Sequence, residues 1–222
     1  MSNNWKKLNK KKWDKLVTIG KAASKVFNEK GYLETSLEDV AAAAGMSKGA
    51  LYYYFPSKVE ILYFIISTHG DRVLGDLEQE LGQVQDGYSK IRFFISRHIH
   101  LYVENMDESK IFVNEKNYLS PKYFKIIKEK EKKYYQIAHR TLSGFLGDRV
   151  TKGELTTLTF SLFGMITWIY SWYDPGGPVT PQELSEIIYG TFSKGVSRYL
   201  DPAYPAKDGT GRAPVKREER EL

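Results

Sequence analysis

The polar residues between positions 47 and 54 have the types and the spacing that contact nucleic acid. If this segment is helical, its apolar residues lie on one face, and Ser47, Lys48, Gly49 and the three tyrosines that follow lie on the other. Lysine supplies charge for a phosphate, glycine allows close approach of the backbone, and tyrosine hydroxyls donate to phosphate oxygens while their rings contact thymine methyl groups. The alternative is that the tyrosines lie partly in the core and partly at a subunit contact.

These residues lie on the second of two short predicted helices that are joined by a turn. Either Thr35 or Ser36 can cap the first helix, with an acid three positions later, and this helix ends at Gly45. Ser47 caps the second helix, which Pro56 stops. This order is the helix-turn-helix plan, whose second helix enters the major groove of double-stranded DNA. Apolar residues that would hold the two helices together are Val40, Ala41, Ala44, Met46, Leu51 and Phe55.

Positive charge is concentrated at the N-terminal end of the chain. The 222 residues have a formal net charge of +6, yet residues 1–25 contain eight lysines and one acid, so the rest of the chain is close to neutral. A basic end on a nearly neutral body indicates a polyanionic partner. The lysines of this end either extend a DNA contact or form a solvated arm: Lys6, Lys7, Lys10, Lys11, Lys12 and Lys15.

Helical periodicity dominates the rest of the chain, and strand signals are scarce. We therefore predict an all-α protein of about nine helices, with a helix-turn-helix domain followed by a larger helical domain. The predicted divisions are a basic arm over residues 1–9, a DNA-binding domain over 10–56, a second domain over 57–200 and a flexible tail over 201–222.

The stretch from residue 155 to residue 173 contains no charge. Its length approaches the roughly 20 residues of a membrane-spanning helix. Its serines and threonines, together with Gly164, favour a buried helix at a subunit interface instead, so we expect a cytoplasmic protein without a membrane contact. The helix over about 152–173, which contains this stretch, is expected to pack antiparallel to the helix over about 180–200. Two copies of this pair would form a four-helix interface in a homodimer.

The composition excludes several kinds of chemistry. The chain has no cysteine, which rules out disulfides, cysteine-ligated zinc, iron–sulfur clusters and thiol catalysis. No clustered acids accompany its histidines, and no catalytic constellation is visible, so we expect neither a metal nor a cofactor and no enzymatic activity. The competing interpretation is a small helical enzyme or carrier that binds acyl-coenzyme A thioesters through the basic end.

Residues 19–62 closely resemble the DNA-binding domain of the tetracycline-repressor (TetR) family, above all in the segment TSLEDVAAAAGMSKGALYYYFPSKVEIL. The matching positions are Ala23, Phe27, Gly31, Thr35, Ser36, Tyr52, Phe55 and Lys58. The resemblance implies a homodimeric transcriptional repressor whose helical C-terminal domain binds a ligand and forms the dimer. It implies DNA contacts at Thr35, Ser36, Ser47, Lys48, Gly49, Tyr52, Tyr53, Tyr54 and Lys58. Tyr54 departs from the family, where many members carry histidine, and this leaves the base preference open.

The segment WIYSWYDPGGPVTPQEL, with Glu115 and Leu119 upstream, resembles a TetR subgroup that responds to acyl-coenzyme A thioesters. A helix-lined cavity with aromatic walls could enclose an apolar acyl group. The candidate ligand-binding residues for this small-molecule effector are Phe94, His98, Tyr102, Phe112, Glu115, Tyr135, Phe163 and Trp168. His98 is equally well explained as a core histidine, and Trp168 as part of the dimer core. A hydrophobic cation is the main competing effector.

Residues 120–135 contain six lysines and two glutamates. A solvated helix face is the first explanation of this charge. The second is a cationic rim that meets the phosphates of the coenzyme.

Overall fold

The computed structural model describes Trp5 and residues 9–201. The rest of the predicted arm, and the predicted tail beyond Asp201, lie outside the described residues. The helices are α1 (Lys10–Lys30), α2 (Leu37–Ala43), α3 (Lys48–Tyr54), α4 (Lys58–Leu74), α5 (Leu77–Gln83), α6 (Gly87–Glu104), α7 (Met106–Asn114), α8 (Pro121–Leu146), α9 (Lys152–Thr167) and α10 (Pro181–Ser197). No strand occurs in this part of the chain, so the all-α prediction is confirmed. Nor is any helix within it long and apolar enough to cross a membrane.

Local sequence signals explain most helix ends. Thr180 and Glu183 form a capping box at the start of α10, in which the hydroxyl accepts from the Glu183 amide and the carboxylate accepts from the Thr180 amide. The chain after Ser57 forms two helices before residue 84. Gly75, with φ at 30°, ends α4 in a conformation that only glycine adopts readily, and α5 begins at Leu77.

Contacts divide the chain into two compact units, of which the first comprises the chain up to Gly75 together with residues 101–134. Its core takes side chains from α1, α2, α3, α4, α7 and α8, among them Leu16, Ile19, Phe27, Val40, Leu51, Phe55, Ile61, Leu62, Ile65, Ile111 and Ile127. α4 therefore contributes to the same core as α1, α2 and α3.

Two tryptophans of the N-terminal segment pack onto α4 in this unit. The ring centroids of Trp5 and Trp13 lie 5.0 and 5.6 Å from that of Phe64. The Phe64 ring also lies 5.4 Å from Phe55, the residue after α3. Phe64 therefore joins the start of the chain to the end of the second short helix.

The second unit comprises residues 76–100 and the described residues from Tyr135 to Asp201. Its core contains Ile91, Ile95, Leu142, Leu146, Leu162, Ile166, Leu184 and Ile188. Arg92 of α6 forms an ion pair with Glu186 of α10 at 2.8 Å. On α9 and the turn after it, Phe160, Trp168 and Trp172 are 61%, 60% and 58% exposed, which leaves a large apolar strip outside the core of this unit.

Candidate nucleic-acid interface

A capping box fixes the start of α2, as the sequence predicts. The Ser36 hydroxyl accepts from the Asp39 amide at 3.1 Å, and the Asp39 carboxylate accepts from the Ser36 amide at 2.8 Å and from Lys30 at 2.6 Å. The hydrogen bond from Lys30, followed by those from Ser36, holds the pKa of Asp39 well below its usual value. The resulting stabilisation is present above the ordinary aspartate pKa and is lost as the pH falls through the lowered one.

The turn and the inner face of α3 fix the second short helix. Gly45 makes the turn with φ at +62°, a left-handed conformation that favours glycine. Ser47 then caps α3, where its hydroxyl accepts from the Ala50 amide at 3.2 Å. Leu51 and Phe55 are almost completely buried, so the inner face of α3 is packed into the core.

The outer face of α3 carries the predicted contact residues. Ser47, Lys48 and Gly49 are exposed at its start, and Tyr52 and Tyr53 are 45% and 70% exposed. Tyr54, by contrast, is half-buried. Two adjacent exposed tyrosine rings gain little from the packing of an isolated domain, which favours a role in binding.

Lys48 forms an ion pair with Glu38 of α2 across this surface. The hydrogen bond that Lys48 donates to Glu38 raises the pKa of Lys48, so the ammonium is charged. Both side chains are more than half exposed. An exposed ion pair of this kind contributes little to stability. Lys48 can therefore exchange the Glu38 carboxylate for a phosphate at a small cost in free energy.

The first turn of α1 lies next to the same surface. The Lys12 ammonium lies 5.1 Å from the centroid of the Tyr53 ring. Lys10, Lys11 and Lys12 occupy this turn and no acid does, although the positive end of a helix dipole favours acids there. The arrangement opposes local stability and extends the positive surface beside α3, as a polyanion-binding site requires.

Thr35 and Lys58 face inward, unlike the other residues that the resemblance assigned to DNA. The Thr35 side chain is buried and donates to the carbonyl oxygen of Gly31 at 2.8 Å. The Lys58 ammonium donates to the carbonyl oxygens of Tyr32, Leu33 and Thr35 at 2.7, 3.0 and 2.7 Å. Because an ammonium has three N–H donors, these bonds use all of them. In this structure Lys58 therefore holds the loop between α1 and α2.

The candidate effector residues are distributed over both units. Tyr102, Phe112 and Glu115 belong to the first unit, and Phe94, His98, Tyr135, Phe163 and Trp168 belong to the second. In the second unit, the Phe163 ring lies 6.3 Å from both Phe94 and Tyr135. Trp168 is instead on the exposed strip of α9, which favours the dimer explanation of this residue over the ligand-wall explanation.

Sequence reasoning missed His69, which is 1% exposed and lies close to the rings of Tyr102 and Phe112. It stands in the apolar sequence of α4, where a single histidine gives no local signal of a site.

The lysines of α8 have two different environments. Lys130 is mostly buried, donates to the Ser67 carbonyl and hydroxyl at 2.7 and 2.8 Å, and pairs with Asp71 at 2.8 Å. The side chains of Lys122, Lys125, Lys128, Lys132 and Lys133 are exposed. Lys130 is therefore not available for the predicted cationic rim, for which the exposed lysines are the remaining candidates.

Two family models match the chain. One, described as bacterial regulatory proteins of the tetR family, matches residues 19–63, and the other, described as a tetracyclin repressor-like C-terminal domain, matches residues 85–196. Together they cover both the short-helix surface and most of the second half of the chain.

Individual relatives have low sequence identity to this chain. The transcriptional activator FasR of Mycolicibacterium smegmatis is 27% identical over 99 residues, so the match spans 45% of this chain and 45% of that protein. The fatty acid metabolism regulator protein of Bacillus subtilis is 25% identical over 146 residues, 66% of this chain and 73% of that protein. The crystal structure of AibR in complex with isovaleryl coenzyme A and operator DNA has the same fold, with a TM-score of 0.71 at 23% identity over 80% of this chain and 97% of that one.

Replacement of Lys58 by methionine tests its inward role. The variant leaves three carbonyl oxygens without their donor, so we expect the free energy of unfolding to fall by about 1–3 kcal/mol in urea denaturation. Lys125→Met, at an exposed position of α8, is the matched control and should change stability by less than about 0.5 kcal/mol. The inward role would be contradicted if the Lys58 variant had unchanged stability and if the salt dependence of its DNA binding fell by about one phosphate contact. That result would identify Lys58 as a DNA contact.

Proposed function

Because the chain belongs to the TetR family of bacterial regulatory proteins, we propose that it is a cytoplasmic transcriptional regulator that binds a palindromic operator as a homodimer and is released by a small-molecule effector. The outer face of α3 is the observation that carries this proposal. Its exposed lysine and tyrosines stand on a helix whose other side is locked into the core, as a recognition helix requires. Family membership sets aside the competing enzyme or carrier.

We place the operator contacts on Ser36, Ser47, Lys48, Gly49, Tyr52 and Tyr53, which are all exposed. Ser47, Lys48 and Gly49 lie at the start of α3, the end of a recognition helix that approaches base edges. The lysines at the start of α1 add sequence-independent attraction to the phosphates. Thr35 and Lys58 support this surface from inside, and half-buried Tyr54 is a weaker candidate.

The exposed apolar strip supports the homodimer. Phe160, Gly164 and Trp168 follow one another at intervals of four residues and therefore lie on one face of the helix. Gly164 adds an open position, because a Cβ atom built there meets no atom of the described chain within 4 Å. On α10, Ile187 is 58% exposed. Apolar surface of this extent is typical of a protein interface, and two copies of α9 and α10 would cover it as a four-helix arrangement.

We further propose that the effector is an acyl-coenzyme A thioester. Aromatic side chains of the first unit, such as Tyr102 and Phe112, can contact an acyl chain, and the exposed lysines of α8 in the same unit can meet phosphates. The AibR complex is an example of this fold with isovaleryl coenzyme A, and a Bacillus subtilis relative is named for fatty acid metabolism. The effector would release DNA by binding more tightly to the conformation that does not fit the operator.

Replacing Lys48 or Tyr53 by alanine tests the DNA contact. After operator fragments have been selected from genomic DNA, each variant should lose about 1–3 kcal/mol of specific binding, measured by calorimetry or gel shift. Because both side chains are exposed, unfolding should stay within about 0.5 kcal/mol of the original protein. Lys125→Ala is the control, and operator affinity equal to that of the unsubstituted protein in both variants would contradict the assignment.

Substitution of Gly164 or Phe160 by arginine tests the dimer. Either arginine would place a charge in the proposed interface, where desolvation is costly, so sedimentation should show monomers or aggregates in place of dimers. Gln136→Arg, at an exposed position of α8, should leave the dimer intact. An undisturbed dimer in both strip variants would move the interface elsewhere.

The effector class is tested by operator release. A series of thioesters that begins with isovaleryl coenzyme A should release the operator fragment and raise the melting temperature, since a ligand that binds the folded state stabilises it. The corresponding free acids and a lipophilic cation, tetraphenylphosphonium, should not. Release by the acids or by the cation, with no response to any thioester, would overturn the acyl-coenzyme A proposal.

A further inference from the structure

His69 occupies a position in the first unit that is costly for a histidine. Its side chain, on α4, is 1% exposed, and its ring lies 5.4 Å from the ring of Tyr102 and 5.4 Å from that of Phe112. Within the described part of the chain, neither its Nδ1 nor its Nε2 has a hydrogen-bond partner. Two unsatisfied polar atoms among aromatic rings oppose folding, and a phenylalanine there would avoid the cost.

The charge state of His69 restricts what it can bind. Burial, and then the nearby Arg72 guanidinium, lower the pKa of His69 to about 3. The ring is therefore neutral under physiological conditions, with one nitrogen as donor and the other as acceptor. It has no charge with which to attract a phosphate or a carboxylate, but it can donate to a neutral carbonyl oxygen.

The polar side chains around His69 have other partners. Arg72 donates to the Oδ1 of Asn105 at 2.7 Å, and Asn105 in turn donates to the Leu101 carbonyl at 2.8 Å. Lys130, which approaches α4 beside Gly70, is engaged with Ser67 and Asp71. These groups are engaged elsewhere, and the imidazole beside the rings of Tyr102 and Phe112 keeps two unpartnered nitrogens among the described residues.

We propose that His69 is the polar anchor of the effector, whose neutral carbonyl accepts a hydrogen bond from the imidazole while its apolar part contacts Tyr102 and Phe112. The inference rests on the proposed effector function and narrows it, because a neutral ester, thioester or amide carbonyl is accepted and a free carboxylate is not. A carboxylate would have to be desolvated beside a neutral ring, and the nearby Arg72 guanidinium, which could offset that cost, instead donates to Asn105.

Two substitutions separate the hydrogen bond from the shape of the ring. His69→Phe keeps an aromatic side chain and removes both nitrogens, whereas His69→Gln keeps a neutral donor and acceptor. The matched control is His100→Phe, since a ring nitrogen of His100 is already within 2.8 Å of the Ser96 carbonyl oxygen. Calorimetry on the full chain measures binding of isovaleryl and octanoyl coenzyme A, of the ethyl esters of the same acids, and of the free acids. Thermal melting and operator affinity without effector confirm that each variant is folded.

For His69→Phe, we expect the tightest-binding thioester or ester to bind at least about tenfold more weakly, because the variant loses one well-made hydrogen bond. His69→Gln should retain part of the affinity, His100→Phe should retain all of it, and operator affinity should stay within about twofold. Phenylalanine should not lower the melting temperature, because it removes unsatisfied atoms. A markedly lower melting temperature would show that these nitrogens are already satisfied and would overturn the inference.

The measurements with ethyl esters distinguish failure of the His69 inference from failure of the acyl-coenzyme A proposal. If the thioesters bind and His69→Phe binds them equally well, the His69 inference fails while the acyl-coenzyme A proposal stands. If ethyl esters bind in a His69-dependent way and thioesters do not, the acyl-coenzyme A proposal fails while the inference stands. Binding of neither class, or binding of free acids alone, overturns the inference.

Discussion

Helices of seven residues do not persist in water by themselves, because the cost of nucleating a helix is not recovered over two turns. α2 and α3, which present the candidate DNA surface, both have this length. They exist because Val40, Leu51 and Phe55 are buried in the core that they share with α1 and α4. The candidate DNA surface therefore depends on burial of one side of each short helix. The other side of α3 does not contribute to the core, so lysine, glycine and tyrosine can occupy it.

The same core explains what the sequence could and could not predict. Capping boxes at Ser36 and Thr180 involve residues three positions apart, so a local pattern is sufficient to predict them. The inward direction of Thr35 and Lys58 depends on the loop that they hold, and a resemblance between sequences places such residues in a site without showing which way they face. His69 was missed for a related reason, since its significance comes from two rings contributed by α6 and α7.

α4 connects the short helices to the first half of α8 within the first unit. One part of its surface packs through Phe64 against Phe55, and another stacks Tyr63 on Tyr123 at 3.9 Å, with the rings within 5° of parallel. Tyr123 also donates to Glu60, and this hydrogen bond raises the pKa of Tyr123 to about 12. These contacts are directional, so α4 cannot shift against α8 without breaking them. Packed, hydrogen-bonded contacts of this kind are able to carry a displacement from one part of a domain to another.

The four tryptophans are divided between two environments in a way that gives the protein a spectroscopic signature. Trp5 and Trp13 are half-buried against Phe64, whereas Trp168 and Trp172 are largely exposed on the strip of the second unit. Indole emission shifts to shorter wavelengths when the ring leaves water. Covering the strip would therefore move the emission of the second pair to the blue, while rearrangement around α4 would alter the first pair. Intrinsic fluorescence of single-tryptophan variants thus reports association and the state of the DNA-binding helices as separate signals, without an attached dye.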